Sequence, residues 1–391
     1  MSKDPVHPFD LLSIDSLLTA EELEIRSWVR RFSEKEIKPN IREWFEKSST
    51  PTKDLMHEFG KLGLFAMNND GNDPIATNAV AYGLACMEFD AVDSAFRSCL
   101  SVQNSLVIYP ILRYGSEEQK AEYLPGLISG EDVGAFGLTE ADHGSDPSSM
   151  KTNVRKDGKD WILNGSKMWI TNASIAKLFV VWVQADDGIA GFIVPSNLPG
   201  VSVQEIHGKL SMRASKTGVL TFEDVRLPGS ARLPGASGLK APLSCLTEAR
   251  YGIIFGVMGA ARDSIEVATK YALDRKQFDR ELASFQLTQG KLAEMSASLL
   301  TGTLLAIHLG RMKQSAKITP EMISYGKFNN VKSALEISRQ ARTILGAAGI
   351  TLDYSPLRHS NNLETVLTYE GTHEIHLLTI GRALTGIQAF K

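Results

Sequence analysis

Apolar residues recur at helical spacing through the first third of the chain. Thr19 and Glu22 have the spacing of a capping box and stand just before such a stripe. Further along, residues 79–87 and 95–112 are apolar enough to form central, buried helices. The pattern therefore predicts an N-terminal helical domain over residues 1–132.

The middle of the chain changes to short runs of alternating or β-branched residues, which are separated by turn signals. Asn164-Gly165 and Asp187-Gly188 each stand between two apolar runs, and dipeptides of this type favour tight hairpin turns. We therefore expect a β-sandwich or barrel domain over residues 133–235.

Helical spacing returns after the Pro- and Gly-rich stretch LPGSARLPGASG and continues to the end of the sequence. Long helical segments are expected at about residues 246–271, 285–313, 320–345 and 362–388. They predict an antiparallel four-helix bundle as a C-terminal domain over residues 236–391. The predicted fold class is thus multidomain α+β, with a β domain between two helical domains.

The composition is that of a folded protein with two or three domains, since 391 residues include 43% hydrophobic and 22% charged residues. The 42 basic and 45 acidic residues nearly cancel, so charge gives no argument for binding nucleic acid or an anionic membrane. We therefore expect a small-molecule partner that is recognised by the chemistry of a pocket.

The cysteines, Cys86, Cys99 and Cys245, lack CxxC spacing, which indicates neither a disulfide framework nor a zinc site. A reducing, cytoplasmic setting fits this pattern. The N-terminal segment lacks the apolar core of a signal peptide, and no run of about 20 apolar residues stands out as a membrane span. We therefore expect a soluble, cytoplasmic protein.

A few segments contain the residues best suited to chemistry. The first is the loop FGLTEADHGSDPSSM at residues 136–150, whose glycines and hydroxyls offer donors to an anionic or heteroaromatic ligand. It is followed by KMWITNA at residues 167–173, by ALDRKQFDRELASFQLTQ at residues 272–289, and by TYEGTHEIH at residues 368–376.

In this order and at these separations, the segments are similar to the acyl-CoA dehydrogenase family over essentially the whole chain. Within that family, the stretches VAYG, VDSAFRSCLSVQNSLV, ARYGI and TYEGTHEIH resemble the glutaryl-CoA dehydrogenases in particular.

The resemblance implies FAD as the cofactor and places its binding residues in two groups. Those that line the flavin and its diphosphate would be Phe136, Leu138, Thr139, Gly144, Ser145, Trp169 and Thr171. The adenylate half would be held from a neighbouring subunit by Arg275, Gln277, Phe278, Gln340, Gly346, Thr372 and Glu374. The implied assembly is a homotetramer. Arginine suits a diphosphate because its planar guanidinium pairs with two oxygens at once.

The resemblance also assigns Glu370 as the catalytic base, with Tyr369 beside it. Removing the weakly acidic α-proton of a thioester requires a carboxylate, and burial against an apolar acyl chain raises both its pKa and its basicity. A hydride from the β-carbon would then pass to the flavin, and the electrons would go on to an electron-transfer flavoprotein.

The expected substrate follows from Arg97 and Ser101, which match the residues that receive the distal carboxylate in glutaryl-CoA dehydrogenases. A buried guanidinium favours a diacid thioester over a neutral acyl chain. Asp90 stands where the family often has glutamate, while Arg250 and Ser145 are also expected at the substrate. The implied reaction is the oxidative decarboxylation of glutaryl-CoA to crotonyl-CoA and CO2.

A metal site is not expected. Glu370 and His373 have the i, i+3 spacing of a carboxylate-bridged metal site, but the sequence lacks the second Glu-x-x-His copy that such sites require. We interpret His373 and His376 as hydrogen-bonded helix residues.

Two alternatives stay open at this point. Residues 67–78 and 345–349, Asp90 and Glu248 differ from the family pattern, and these departures leave the acyl carrier and the exact substrate undecided. A related flavoprotein would use the same Glu370 on another acyl thioester, for example one that is attached to a carrier protein. The alternative from another class is a flavin-free scaffold or interaction protein.

Overall fold

The computed structural model describes residues 9–65, 67 and 78–389. The departure from the family pattern at residues 67–78 therefore lies almost entirely outside the described residues. Helices come first, a sheet follows, and long helices complete the described chain, as the sequence predicted.

The N-terminal part consists of short and medium helices around one buried helix. The helices are α1 Ala20–Phe32, α2 Ile41–Lys47, α3 Thr52–Lys61, α4 Ala79–Val92, α5 Ser94–Ser101, α6 Tyr109–Tyr114 and α7 Glu117–Ser129. The capping box is confirmed, because the side chains of Thr19 and Glu22 each accept a hydrogen bond from the other's backbone N–H. Every residue of α4 is buried, so this helix forms the middle of the helical core.

Two stretches of π-helix interrupt the α-helical backbone, at Ser33–Ile37 and Val102–Ile108. The second joins α5 to α6 and is buried throughout. Such insertions are frequent at functional sites. Here the π-helix directly follows Arg97 and Ser101, the predicted substrate residues on α5.

The middle of the chain forms a seven-stranded sheet, which confirms the predicted β domain. The strands are β1 Gly134–Gly137, β2 Asn153–Asp157, β3 Asp160–Thr171, β4 Leu178–Ala185, β5 Gly188–Pro195, β6 Val201–Glu205 and β7 Thr217–Leu227. Their spatial order is β1-β4-β2-β3-β7-β6, and β5 pairs with β4. Phe179, Phe192 and Phe222 belong to a hydrophobic core of this sheet that is separate from the helical core.

The hairpin expected at Asn164-Gly165 is wrong. β3 continues through both residues, and its ladder with β7 shifts register there, which marks a bulge. The Asn164 amide instead donates to the Asp224 carboxylate on β7, at 3.0 Å. Gly165 has φ 132°, and a Cβ on it would lie 2.6 Å from the Cα of Thr152. Glycine is therefore required by a close approach of two strands and not by a turn.

The second expected hairpin is confirmed, because β4 and β5 pair from Ala185↔Gly188 onwards. The two loop residues are Asp186 and Asp187, one position earlier than the dipeptide suggested. Gly188, with φ 109°, opens the returning strand.

The C-terminal part consists of α8 Lys240–Asp274, α9 Gln286–Gln314, α10 Pro320–Ile344, α11 Pro356–Thr368 and α12 His373–Thr385. A short hairpin of β8 Lys276–Gln277 and β9 Arg280–Glu281 separates α8 from α9. Asn330 on α10 ties three helices together, because its amide donates to the carbonyls of Ile254 and Gly302, each at 2.9 Å. Lys313 near the end of α9 meets Glu248 near the start of α8, so these two helices run in opposite directions.

The single helix expected over residues 362–388 is also wrong. It is broken between α11 and α12 at residues 369–372, where Glu370 and Gly371 have φ 55° and 94°. Left-handed backbone cannot continue an α-helix, and glycine adopts it readily. Apolar residues continue at helical spacing across residues 369–372, so the sequence pattern alone does not reveal the break.

Helix α9 is, within residues 9–65, 67 and 78–389, the one helix long and apolar enough to cross a membrane by length and composition alone. The core helix of a soluble protein passes the same test. Since α9 packs against α4, α8 and α10, we do not infer a membrane span from it.

Candidate active site

The break between α11 and α12 is the centre of the predicted site. Tyr369 has extended backbone after α11, Glu370 and Gly371 are left-handed, and the Thr372 side chain caps α12 by accepting from the Ile375 N–H. A non-glycine residue in the left-handed region is strained, and such strain is common at functional sites.

Two cations hold this turn, buried Lys327 and half-buried Arg250. The Lys327 Nζ on α10 donates to the carbonyls of Tyr369 and Gly371, the latter at 2.7 Å. The Arg250 Nε on α8 donates to the carbonyl of Glu370 itself, at 2.6 Å. Three successive carbonyls therefore point towards cations, which leaves the Glu370 side chain without a role in holding its own backbone.

Arg97 is fully buried and lies directly beside the turn. Its Nε donates to the Asp90 carboxylate at 3.3 Å, and its guanidinium hydrogen-bonds the Tyr369 hydroxyl and lies 5.6 Å from the centre of that ring. One turn further along α5, Ser101 is also buried. Among the described residues, the Ser101 Oγ and one terminal nitrogen of Arg97 have no hydrogen-bond partner. Unpaired buried polar atoms are costly, and a ligand is one way to satisfy them.

The electrostatics of the site favour a basic carboxylate. Burial raises the pKa of Glu370 above its ordinary value, although the charges of Arg97, Lys327 and Arg250 oppose the shift. The Glu370 Oε2 is buried and has no hydrogen-bond partner among the described residues. Burial raises the pKa of Asp90 as well, against the charge of Arg97. A carboxylate that is buried, unpaired and flanked by cations is well placed to accept a proton.

His373 and His376 both lie in the first turn of α12, where the His376 backbone N–H donates to the Thr372 carbonyl at 3.1 Å. Hydrogen bonding to the backbone of Gly371 and Glu370 acts to raise the pKa of His376, which favours the predicted role of a hydrogen-bonded helix residue. His373 stacks on Phe328 with ring centres 4.5 Å apart. Burial and the charges of Lys327 and Arg250 outweigh this hydrogen bonding and lower the pKa of His376 to about 3, which keeps its ring neutral.

The predicted flavin residues of the β domain form a second group. The chain after β1 is tied to β3, because the Lys167 Nζ donates to the Leu138 carbonyl at 3.0 Å and the Met168 N–H to the Thr139 carbonyl at 2.8 Å. Beyond that point β3 bulges, and Trp169 has φ 64° with 55% of its surface exposed.

The remaining predicted residues of this group differ in exposure. Phe136 and Leu138 are buried, Thr139 and Thr171 are half-buried, and Gly144 and Ser145 are exposed on the loop. The sheet thus presents a flat aromatic surface beside backbone and hydroxyl groups.

The predicted adenylate residues lie elsewhere. Arg275 follows the end of α8, about 37 Å along the helix axis from Arg250. Gln277 and Phe278 extend into the β8–β9 hairpin, where Phe278 is 89% exposed.

The other members of this group are split between two ends of the bundle. Gln340 and Gly346 lie at the C-terminal end of α10, where the Gln340 Oε1 is buried without a partner among the described residues, whereas Thr372 and Glu374 begin α12 beside Glu370. One chain therefore does not bring the predicted adenylate residues together in one place.

Sequence reasoning missed Lys327, although a signal for it exists. Ile323, Lys327, Val331 and Ala334 recur at spacings of four and three, and all four are buried on one face of α10. A lysine within an apolar helical stripe is unusual, because an unpaired buried ammonium is costly.

Comparison with known proteins identifies the family. The chain matches the N-terminal, middle and C-terminal domains of acyl-CoA dehydrogenase over residues 19–131, 135–225 and 236–385. The chain belongs to the acyl-CoA dehydrogenase family. It is an oxidoreductase of that family. The predicted order of a helical part, a β part and a second helical part is that of the acyl-CoA dehydrogenase fold.

Its relatives within the family include enzymes with different substrates. A crystal structure of a glutaryl-CoA dehydrogenase from Mycobacterium smegmatis in complex with FADH2 is 56% identical, has a TM-score of 0.96, and covers 98% of this chain and 99% of its own. The mitochondrial short-chain specific acyl-CoA dehydrogenase of Mus musculus is 34% identical over 91% of this chain and 88% of the mouse protein. An acyl-CoA dehydrogenase of Bacillus subtilis is 34% identical over 94% of this chain and 99% of its own.

Proposed function

We propose that this acyl-CoA dehydrogenase uses FAD to oxidise an acyl-CoA thioester between its α- and β-carbons, and that glutaryl-CoA is its substrate. The products would be crotonyl-CoA and CO2. The observation that supports this most is that buried Arg97 and the buried Oε2 of Glu370 share one electrostatic environment, where the charge of each residue affects the pKa of the other. The similarity to a glutaryl-CoA dehydrogenase at 56% identity supports the same substrate.

The residues of the β domain fit a flavin. Trp169 offers an exposed aromatic face on left-handed backbone, and half-buried Thr139 and Thr171 bring hydroxyls to the same edge of the sheet. Exposed Gly144 and Ser145 leave the loop open to a diphosphate. When bound there, FAD supplies the acceptor for a hydride from the β-carbon.

Glu370 removes the α-proton in this proposal. Its unpaired Oε2 takes the proton, and its raised pKa gives it the basicity that a thioester α-proton requires. Arg250 and Lys327 bind the backbone and not the carboxylate, so the carboxylate is held in place without being neutralised by a direct ion pair.

Arg97 and Ser101 bind the distal carboxylate of the substrate. The unpartnered nitrogen of Arg97 and the unpartnered Oγ of Ser101 supply donors from one helix face. Asp90 and Tyr369 hold the guanidinium in place from two sides. After loss of the α-proton and the β-hydride, the distal carboxylate leaves as CO2, its bonding electrons stay on the γ-carbon, and protonation of that anion gives crotonyl-CoA.

The assembly proposed from the same residues is a homotetramer. The predicted adenylate residues are split, because Arg275 is about 37 Å along α8 from Arg250 whereas Thr372 and Glu374 lie beside Glu370, and residues of a second subunit would complete each flavin site. Electrons would leave through an electron-transfer flavoprotein. The free, buried cysteines Cys86, Cys99 and Cys245 fit a reducing, cytoplasmic setting. We keep the domain bounds as 1–132, 133–235 and 236–391.

The test is to mix the purified holoenzyme anaerobically with glutaryl-CoA, follow the flavin absorbance, and identify the products by mass spectrometry. Bleaching with formation of crotonyl-CoA is expected, and Glu370→Gln should keep the yellow colour and lose the bleaching. Butyryl-CoA serves as the neutral comparison substrate. Bleaching by butyryl-CoA alone would replace the diacid by a short-chain substrate, and a colourless protein that resists reconstitution would favour a scaffold.

A further inference from the structure

Lys327 is a buried cation next to the turn at residues 369–372, which contains the proposed base Glu370. It is 2% exposed, and it lies on the core-facing side of α10 between Ile323 and Val331. Its Nζ donates to the carbonyls of Tyr369 and Gly371, the two residues on either side of Glu370. A single ammonium therefore binds the carbonyls on both sides of Glu370, the left-handed residue.

The surroundings of Lys327 do not explain it as an ordinary ion pair. Within the part of the chain that the structure describes, Lys327 is in no salt bridge. Its ammonium also lies 5.7 Å from the centre of the Tyr369 ring. The titratable and charged groups that interact with Lys327 or Glu370 are Cys86 on α4, Arg97 on α5, Arg250 on α8, Tyr369 in the turn and His376 on α12. Behind them, Asp90 on α4 pairs with Arg97, and His373 on α12 stacks on Phe328 of α10.

A buried ammonium at this position would cost stability if its only role were to hold the fold together. Burying an ammonium requires several kcal/mol of compensation, and a neutral side chain such as glutamine could bind a carbonyl at less cost. The charge is useful for a carboxylate that has to be ionised before it acts. Glu370 is such a carboxylate, and the charge of Lys327 favours its ionised form.

We propose that Lys327 is the positioning residue of the catalytic base: it fixes the left-handed turn by binding the carbonyls on both sides of Glu370, and it keeps the carboxylate ionised and aimed at the substrate. The proposal rests on the proposed function, because it takes Glu370 as the base. Lys327 touches neither substrate nor flavin in this scheme and acts through Glu370.

The pH behaviour follows from the same contacts. Burial and the charges of Arg250 and Arg97 lower the pKa of Lys327 to about 7, while the charge of Glu370 opposes this shift. Removing the lysine takes a cation away from Glu370, so the pKa of the base rises and proton removal fails at a higher pH than in the wild type. A purely structural loss does not move the acid limb of a pH profile.

The experiment measures α-proton exchange directly. The holoenzyme is incubated in D2O with a glutaryl-CoA analogue in which sulfur replaces the β-carbon, so α-proton loss occurs without hydride transfer, and exchange is followed by NMR between pH 5 and 9. Lys327→Met removes both the donors and the charge, whereas Lys327→Gln removes the charge and keeps an amide that can still donate to a carbonyl. We expect exchange about a hundredfold slower for Lys327→Met and an acid limb at higher pH for both variants.

The matched control is Lys209→Met. Lys209 is a half-buried lysine that also clamps carbonyls, those of Met212 at 3.0 Å and Ser215 at 2.6 Å, in a loop of the β domain. It should cost thermal stability and leave the acid limb unchanged.

Each outcome decides one proposal. If the acid limbs of both Lys327 variants coincide with that of the wild type, the lysine has only a structural role and the inference is overturned. If Lys327→Met fails to fold, the acid limb of Lys327→Gln decides the question. If the wild type itself exchanges no α-protons, the proposed function fails, whatever the lysine variants do.

Discussion

Replacing Arg97 by methionine separates recognition of the diacid from the chemistry of the base. Methionine keeps most of the buried volume and removes the guanidinium that we propose binds the distal carboxylate. The loss should fall on glutaryl-CoA and spare butyryl-CoA, which has no distal charge. Flavin binding and α-proton removal from a neutral thioester should persist, because Glu370 remains in its turn.

The size of the effect follows from the burial of the guanidinium, which is 0% exposed. Truncating one partner of a buried, hydrogen-bonded charge pair costs about 2–5 kcal/mol. This corresponds to a decrease of about 30-fold to 5,000-fold in the ratio of kcat/KM for glutaryl-CoA to that for butyryl-CoA. Asp90 limits the cost to the fold, because burial already raises its pKa and the loss of the opposing Arg97 charge lets it take up a proton.

The assay compares kcat/KM for the two thioesters with an artificial electron acceptor, for the wild type, Arg97→Met and the control Arg358→Met. Arg358 is also buried and paired with an aspartate, Asp93, but it belongs to the packing of α11 against the end of α4. Its loss should lower stability and leave the selectivity ratio unchanged. The reasoning is refuted if Arg97→Met keeps the wild-type ratio, or if both arginine variants change the ratio equally.

The other predictions concern the packing around the site. Glu88, 1% exposed, is bound by Arg30 and Arg262, and although burial raises its pKa, the two arginines hold that pKa at about 2. Its stabilisation is therefore complete above the ordinary carboxyl pKa and is lost as the pH falls towards about 2, and Glu88→Gln should cost about 3–5 kcal/mol at neutral pH in a urea titration. Gly371→Ala should lower kcat more than tenfold with little change in flavin content, because φ is 94° there and a Cβ would lie 3.1 Å from the His376 Nε2. Wild-type kcat in that variant would mean that the turn tolerates a side chain.

The sequence predicted the sequence-local features of the fold well. The capping box of Thr19 and the helix that begins at Pro320 depend on residues within one turn of each other, and both are confirmed. The bulge at Gly165 depends on Thr152, which directly precedes β2, and the break at Glu370 depends on cations from α8 and α10. Contacts between distant segments override the local turn and helix preferences in both cases.

The candidate site shows the same division. Arg97 and Glu370 were predicted from their motifs, and the structure brings them to one place through the Tyr369 hydroxyl. Lys327 has no motif of its own, and its contacts with the turn join residues more than 40 positions apart in the sequence. Only an unusual charge within an apolar stripe pointed to it.

The charge balance of the pocket gives an argument for a diacid that does not depend on any single hydrogen bond. The cations around the base are Arg97, Arg250 and Lys327, and the carboxylates are Asp90 and Glu370, while His376 stays neutral with a pKa of about 3. When Lys327 is protonated and both carboxylates are ionised, this group has one positive charge in excess. A neutral acyl chain displaces water from that charge and leaves it unbalanced, which costs binding energy. A glutaryl chain would bring the missing negative charge, so we expect this pocket to bind a diacid thioester better than a butyryl thioester.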